Sequence, residues 1–183
     1  MQDHYRNTSE SILQSLEQVR NHLEEYNISI LLEAAAEYYL DEFLVKRLNS
    51  GEQLLTFGNS YLLFETNFLS EPLNMNEFIF LATTQGYKPV LAHPERYQFL
   101  QNDFDKVEDL LNRGVLFQIN ISSIAGYYSR PSQMLANKLI DNGYVHIIGS
   151  DCHTLQHALA IEKARHSRYF QKALTLPLLN NSL

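Results

Sequence analysis

Four side chains in this sequence have the types and spacing to build a metal site, Glu37, His93, Asp151 and His153, and Arg96 stands beside one of them. Asp151 and His153 stand two apart after the apolar run Tyr144-Val145-His146-Ile147-Ile148, so in extended chain both side chains share a side and can grip one ion or bridge two. His93 closes the run Val90-Leu91-Ala92, and Glu37 comes directly after the apolar stretch 28–36. Mixed histidine and carboxylate donors suit manganese, iron or zinc better than calcium. Arg96, three residues after His93 in a loop stiffened by Pro94, offers the bidentate fork that a phosphate monoester needs beside a metal. Plainer readings stay open, since a lone histidine at a strand end is more often structural and Arg96 can equally pair with Glu95 or another carboxylate. Glu65, Asn120 and Tyr127 fall on the same predicted face and are candidates to line a pocket, with core or surface packing the alternative for the tyrosine.

Cys152 suggests a thiolate nucleophile, but such a loop needs an arginine six residues downstream, where the chain has Ala158, and glycines to aim N–H groups at phosphate. Cys152 is therefore expected to be a small buried filler.

Elements that alternate along the chain must position these groups. Ile12, Leu16, Val19 and Leu23 recur at helical spacing behind Thr8, which predicts an amphipathic helix over 9–25. Strands are expected at 28–36, 61–65, 88–93, 115–120 and 144–151. Helices are expected at 41–49, 75–85, 103–112, 132–142 and 155–165, with a less regular tail. Three of them stop at Gly86, Gly114 and Gly143, each just before a strand. This alternation implies a parallel sheet or barrel whose strand ends gather the candidate residues on one face.

A chain of 183 residues that is 45% hydrophobic can bury a core, and is read as one domain over 1–183. Its net charge of -7 without a basic cluster argues against nucleic acid as a partner. One cysteine, no apolar run of membrane-spanning length and a polar amino terminus point to the cytoplasm, with no membrane span.

Together, Ala35-Ala36-Glu37-Tyr38-Tyr39-Leu40-Asp41, Tyr61-Leu62-Leu63-Phe64-Glu65, the run from Gly86 to Tyr97 containing Ala92-His93-Pro94-Glu95-Arg96, Gln118-Ile119-Asn120 with Gly126-Tyr127-Tyr128, and Gly149-Ser150-Asp151-Cys152-His153 resemble a known family. It is that of the manganese-dependent bacterial protein-tyrosine phosphatases of capsule and exopolysaccharide biosynthesis, in the polymerase-and-histidinol-phosphatase (PHP) superfamily. The resemblance implies an α/β fold, a PHP-type distorted (β/α)7 TIM-like barrel. It also implies a cluster of Mn2+ or other divalent ions and hydrolysis of phosphotyrosine on a partner tyrosine autokinase. By position, Glu37, His93, Asp151 and His153 become metal ligands, Arg96 and His153 catalytic residues, and Arg96, Glu65, Asn120 and Tyr127 substrate-binding residues.

The family's amino-terminal His-x-His, Asp-Asp-Gly and Thr-Pro-His stretches have no counterpart, and residues 1–8 resemble the family segment immediately after Thr-Pro-His. The expectation is therefore a barrel reduced to about five parallel strands, with an exposed apolar edge that favours a homo-oligomer. The same gap implies an incomplete ion cluster and activity weakened about a hundredfold. His4 is a candidate replacement ligand. The alternatives are another PHP phosphoesterase, such as a histidinol phosphatase, and an inactive pseudo-phosphatase that binds a partner.

Overall fold

The computed structural model describes residues 7–183, so His4 lies outside the described residues. The first helix, α1 (Ser9–Glu25), begins where the pattern places it. Thr8 accepts the Ser11 N–H at 3.2 Å and the Ser11 hydroxyl oxygen accepts the Thr8 N–H at 2.9 Å, a reciprocal box that satisfies two otherwise orphaned donors.

The next segment departs from expectation. Residues 28–36 form no strand, and Ile28, Ile30 and Leu31 are exposed, Leu31 to 89%. An apolar run becomes a strand only where a neighbour completes its ladder of hydrogen bonds. Here the ladder begins later, at the two-residue strand β1 (Tyr38–Tyr39). Residues 28–36 are held instead by Arg20, whose guanidinium donates twice to the Leu32 carbonyl at 3.1 and 2.5 Å.

From Tyr38 onward strand and helix alternate. Asp41 caps α2 (Glu42–Asn49) by accepting the Phe43 and Leu44 N–H groups, each at 2.9 Å. β2 (Tyr61–Glu65), α3 (Met75–Thr84) and β3 (Lys88–Ala92) come next. A single 3-10 turn (Pro94–Arg96) and two helices, α4 (Gln98–Asn102) and α5 (Asp105–Asn112), lead to β4 (Leu116–Asn120). Then come α6 (Ile121–Ile124), α7 (Arg130–Asp141) and β5 (Ile147–Gly149), and last α8 (Leu155–Arg165) and α9 (Arg168–Ala173). The expected cap Asp103 stands one residue further out, with Phe104 at the cap position and Asp103 accepting the Asp105 N–H. β5 is shorter than the expected 144–151, and the irregular tail contains the helix α9.

All four strand pairings are parallel, and the strands lie in chain order, β1-β2-β3-β4-β5. An order that never reverses is that of a βα barrel rather than of a doubly wound sheet. Before β3, β4 and β5 the helix closes alike. Gly86, Gly114 and Gly143 take positive φ, and the next N–H (Tyr87, Val115, Tyr144) bonds back to Ala82, Leu110 and Leu139. This left-handed closure fixes where each of these strands begins, and hence where it ends.

The core is built on the central strands. Leu62, Phe64, Leu91, Phe117 and Ile119 are wholly buried in one cluster with Phe78, Leu100 and Leu139 from the helices. The β5 edge is covered by a side chain, because the Asn180 amide accepts the Ile148 N–H at 2.9 Å and donates to the Ile148 carbonyl at 3.0 Å. His146 is half-buried, its Nδ1 accepts the Phe117 N–H at 3.1 Å, and burial pulls its pKa below the ordinary histidine value. No helix among the described residues is long and apolar enough to cross a membrane.

These placements give two expected outcomes in solution. Leu62→Ala, at a wholly buried position, is expected to cost about 2–5 kcal/mol, and Leu31→Ala less than about 0.5 kcal/mol, read from denaturation midpoints; equal losses would restore residues 28–36 to the core. Because the folded state holds His146 neutral, its contribution is full above the ordinary histidine pKa and is lost as pH falls through that value. His146→Asn, which keeps an acceptor for Phe117, should therefore lose less Tm than the parent chain between pH 7 and pH 5.

Candidate active site

The candidate residues sit at the carboxyl end of the sheet. Glu37 immediately precedes β1, Glu65 ends β2, His93 directly succeeds β3, Asn120 ends β4, and Asp151 stands two residues past β5. The parallel register sets Glu65 beside Tyr39 and Asn120 beside Gly149, so the ends are level.

Two groupings emerge. In the first, His93 Nε2 lies 3.2 Å from Glu37 Oε1 and 3.7 Å from Glu65 Oε2. These three residues offer donor atoms that all lie within 4.8 Å of one another, and the group could hold a metal ion. Two carboxylates facing one imidazole nitrogen form a donor set that fits a borderline divalent ion. His93 is almost fully buried and occupies the left-handed region at φ 38°, with its N–H bonded to the Gln118 carbonyl at 2.7 Å. Residues other than glycine hold that conformation only where their surroundings impose it, and they concentrate at functional sites. Burial and then the charge of Glu37 push the Glu65 carboxyl above its ordinary pKa, opposed by His93 and Arg96.

The second grouping is built around Asp151. Its Oδ2 accepts from Asn120 Nδ2 at 2.8 Å, from the Tyr128 hydroxyl at 3.3 Å and from Arg96 Nη1 at 3.3 Å. Gln118 Nε2 in turn donates to Asn120 Oδ1 at 3.0 Å. That contact depends on Gly149, since a Cβ there would stand 2.5 Å from Gln118 Nε2. Glu95 anchors the same corner from below. It is fully buried, its Oε1 accepts the Ser123 hydroxyl at 2.6 Å and the Asn120 N–H at 3.1 Å, and burial raises its pKa.

The geometry redistributes the roles. Glu65, expected to touch substrate, joins Glu37 and His93, whereas Asp151 is bonded to Arg96, Asn120 and Tyr128. His153 lies at the rim, with its side chain 73% exposed and its Nδ1 3.0 Å from the Asp151 carbonyl oxygen. It lines the same cleft of about 490 Å³ as Glu37 and Glu65. Asp151 turns the chain with φ 47°, so the segment is not extended, yet His153 Nδ1 still lies 3.3 Å from Asp151 Oδ1 and the two side chains stand together. The same turn carries Cys152 outward; it is exposed, which corrects its reading as a buried filler. Arg96 pairs with a carboxylate, as its plainer reading allows, and the partner is Asp151 rather than Glu95. Tyr127 is exposed at the rim, edge-on to His157 with ring centroids 5.2 Å apart. Phe68, whose ring lies 4.6 Å from the Arg96 guanidinium carbon, carries no motif that would single it out in the sequence.

Among known proteins, a family model described as capsular polysaccharide synthesis, CpsB/CapC, matches residues 1–173. The putative tyrosine-protein phosphatase CapC of Staphylococcus aureus is 28% identical over 151 residues, 82% of this chain and 59% of that protein. The tyrosine-protein phosphatase YwqE of Bacillus subtilis is 25% identical over 157 residues, 83% of this chain and 60% of that protein. The chain thus spans about three fifths of the length of these relatives. One solved chain, from the crystal structures of YwqE from Bacillus subtilis and CpsB from Streptococcus pneumoniae, described as unique metal-dependent tyrosine phosphatases, superposes with a TM-score of 0.81. At 21% identity the match covers 95% of this chain and 72% of the solved one, and so shows a shared fold. With a match that runs over nearly its whole length, the chain belongs to the CpsB/CapC family of capsular polysaccharide synthesis.

Proposed function

We propose that this chain is a metal-dependent protein-tyrosine phosphatase that uses Mn2+ and acts on the phosphotyrosines of a tyrosine autokinase controlling polysaccharide export. The observation that carries the reading is the Glu37, Glu65 and His93 cluster at the same sheet end as an arginine clamped to Asp151. A divalent ion held there would supply Lewis acidity toward a phosphoryl oxygen and lower the pKa of a water.

The remaining work falls to the chain's own groups. Arg96 presents a planar fork to the non-bridging oxygens, and Asp151 fixes one of its nitrogens so that the fork need not be ordered when substrate arrives. His153 lines the cleft with Nδ1 against the Asp151 carbonyl, and an Nδ1–H donated there would leave Nε2 unprotonated. That tautomer suits a ligand atom and also a proton carrier for the departing tyrosyl oxygen. The rim rings of Tyr127 and Tyr128, with centroids 5.1 Å apart and edge to face, favour an aryl over an alkyl leaving group.

Hydrolysis of p-nitrophenyl phosphate by this chain is expected to require Mn2+ and to stop with a chelator. His93→Ala should lower it at least about a hundredfold, while Cys152→Ser leaves it within about twofold. Chelator-insensitive turnover, or loss on Cys152→Ser alone, would contradict the reading. Without reference to turnover, saturating Mn2+ should raise the Tm of the parent chain and fail to raise that of a Glu37→Gln, Glu65→Gln double variant.

A further inference from the structure

We propose that Phe68 and Tyr128 are positioning residues that hold the guanidinium of Arg96 in one orientation. The proposal rests on the reading of Arg96 as the phosphate-receiving group. The Arg96 guanidinium carbon lies 4.6 Å from the Phe68 ring centroid and 4.2 Å from that of Tyr128, so two rings from different loops stack on one cation. Its Nη1 reaches Asp151 Oδ2 at 3.3 Å. Two rings and one nitrogen contact thereby constrain a planar group, and stacking on aromatic faces leaves the in-plane donors available.

Neither ring depends on Arg96 for its own place. Phe68, between β2 and α3, stacks on the wholly buried Tyr97 with centroids 5.4 Å apart, and its carbonyl accepts the Gln98 N–H at 2.8 Å. Tyr128, after α6, is pinned by its hydroxyl, which donates to Asp151 Oδ2 at 3.3 Å and accepts from Asn120 Nδ2 at 3.4 Å. A flexible arginine would lose side-chain freedom each time a phosphate bound, whereas rings fixed by Tyr97 and Asn120 impose that loss in advance. Lysine at position 96 would keep the charge but lose the plane on which the clamp acts.

The test compares the parent chain with Arg96→Lys and a Phe68→Leu, Tyr128→Leu double variant, each checked for an unchanged circular dichroism spectrum. In 15N-edited spectra, the Arg96 side-chain signals, assigned by their disappearance in Arg96→Lys, should show separate Nη resonances in the parent chain. They should collapse through rotation in the double variant. Separate resonances in the double variant, or averaged ones in the parent chain, would overturn the clamp whether or not the chain turns over substrate. With p-nitrophenyl phosphate and Mn2+, KM should rise about tenfold in the double variant with kcat within about threefold. A collapsed clamp with unchanged KM would overturn its role toward phosphate. A chain that shows the clamp but no turnover would refute the phosphatase reading and leave the positioning of Arg96 standing.

Discussion

A single buried carboxyl ties the site to the sheet. Glu95 lies wholly out of solvent, where an ionised carboxylate is costly unless its oxygens are bonded. Its Oε1 takes the Ser123 hydroxyl and the Asn120 N–H, so the end of β4 is fastened to the turn after β3. From Asn120 the linkage continues through Nδ2 to Asp151, and from Asp151 to Arg96 and Tyr128. Three strand ends are thereby coupled by hydrogen bonds that begin at one acid, and a displacement at Glu95 is felt at the arginine. Burial raises its pKa, which places the cost of a buried acid beneath the site rather than within it.

Parallel strands make this coupling possible. The glycine closures before β3, β4 and β5 start each strand at a set point, and the level register then brings the residues after each strand into one layer. The strand ends differ in how they use that layer. After β3 and β5 the backbone enters the left-handed region, at His93 and Asp151, and aims a side chain across the sheet end rather than along the strand. After β2 and β4 the last strand residues, Glu65 and Asn120, reach the same layer without such a turn.

Much of this architecture is legible in the sequence, for identifiable reasons. Helix stops are readable because glycine is nearly obligatory where φ must be positive, and α1 is readable because its cap and its apolar spacing agree. The strand-end position of Glu37, Glu65, His93 and Asp151 determines the face on which they gather. It does not determine their grouping, since Glu65 joins Glu37 and His93 whereas Asp151 bonds Arg96, Asn120 and Tyr128 and stands 3.3 Å from His153 Nδ1. Residues 28–36 defeat the pattern because apolar content reports what a segment can bury and not whether a neighbouring ladder exists to receive it. Adjacent opposite charges suggest that Glu95 pairs with Arg96, yet the turn Pro94–Arg96 sends one side chain into the core and the other to the rim.

Charge at the sheet end explains why a metal belongs in the functional reading at all. Glu37, Glu65 and Asp151 set three carboxyls at the sheet end that Arg96 shares, in a chain whose net charge is already -7. Two unit charges about 4 Å apart interact at roughly 4 kcal/mol near a protein surface, so a phosphate dianion approaching this cluster would meet repulsion that Arg96 alone cannot offset. The raised pKa of Glu65 records the same repulsion from within, because the charge of Glu37 contributes to it after burial. On the proposed reading, added positive charge between the carboxylates would convert the cluster from a barrier into a phosphate site. On this reading, metal dependence stems from the arrangement of Glu37, Glu65, Asp151 and Arg96 itself, before any appeal to what the ion does to water.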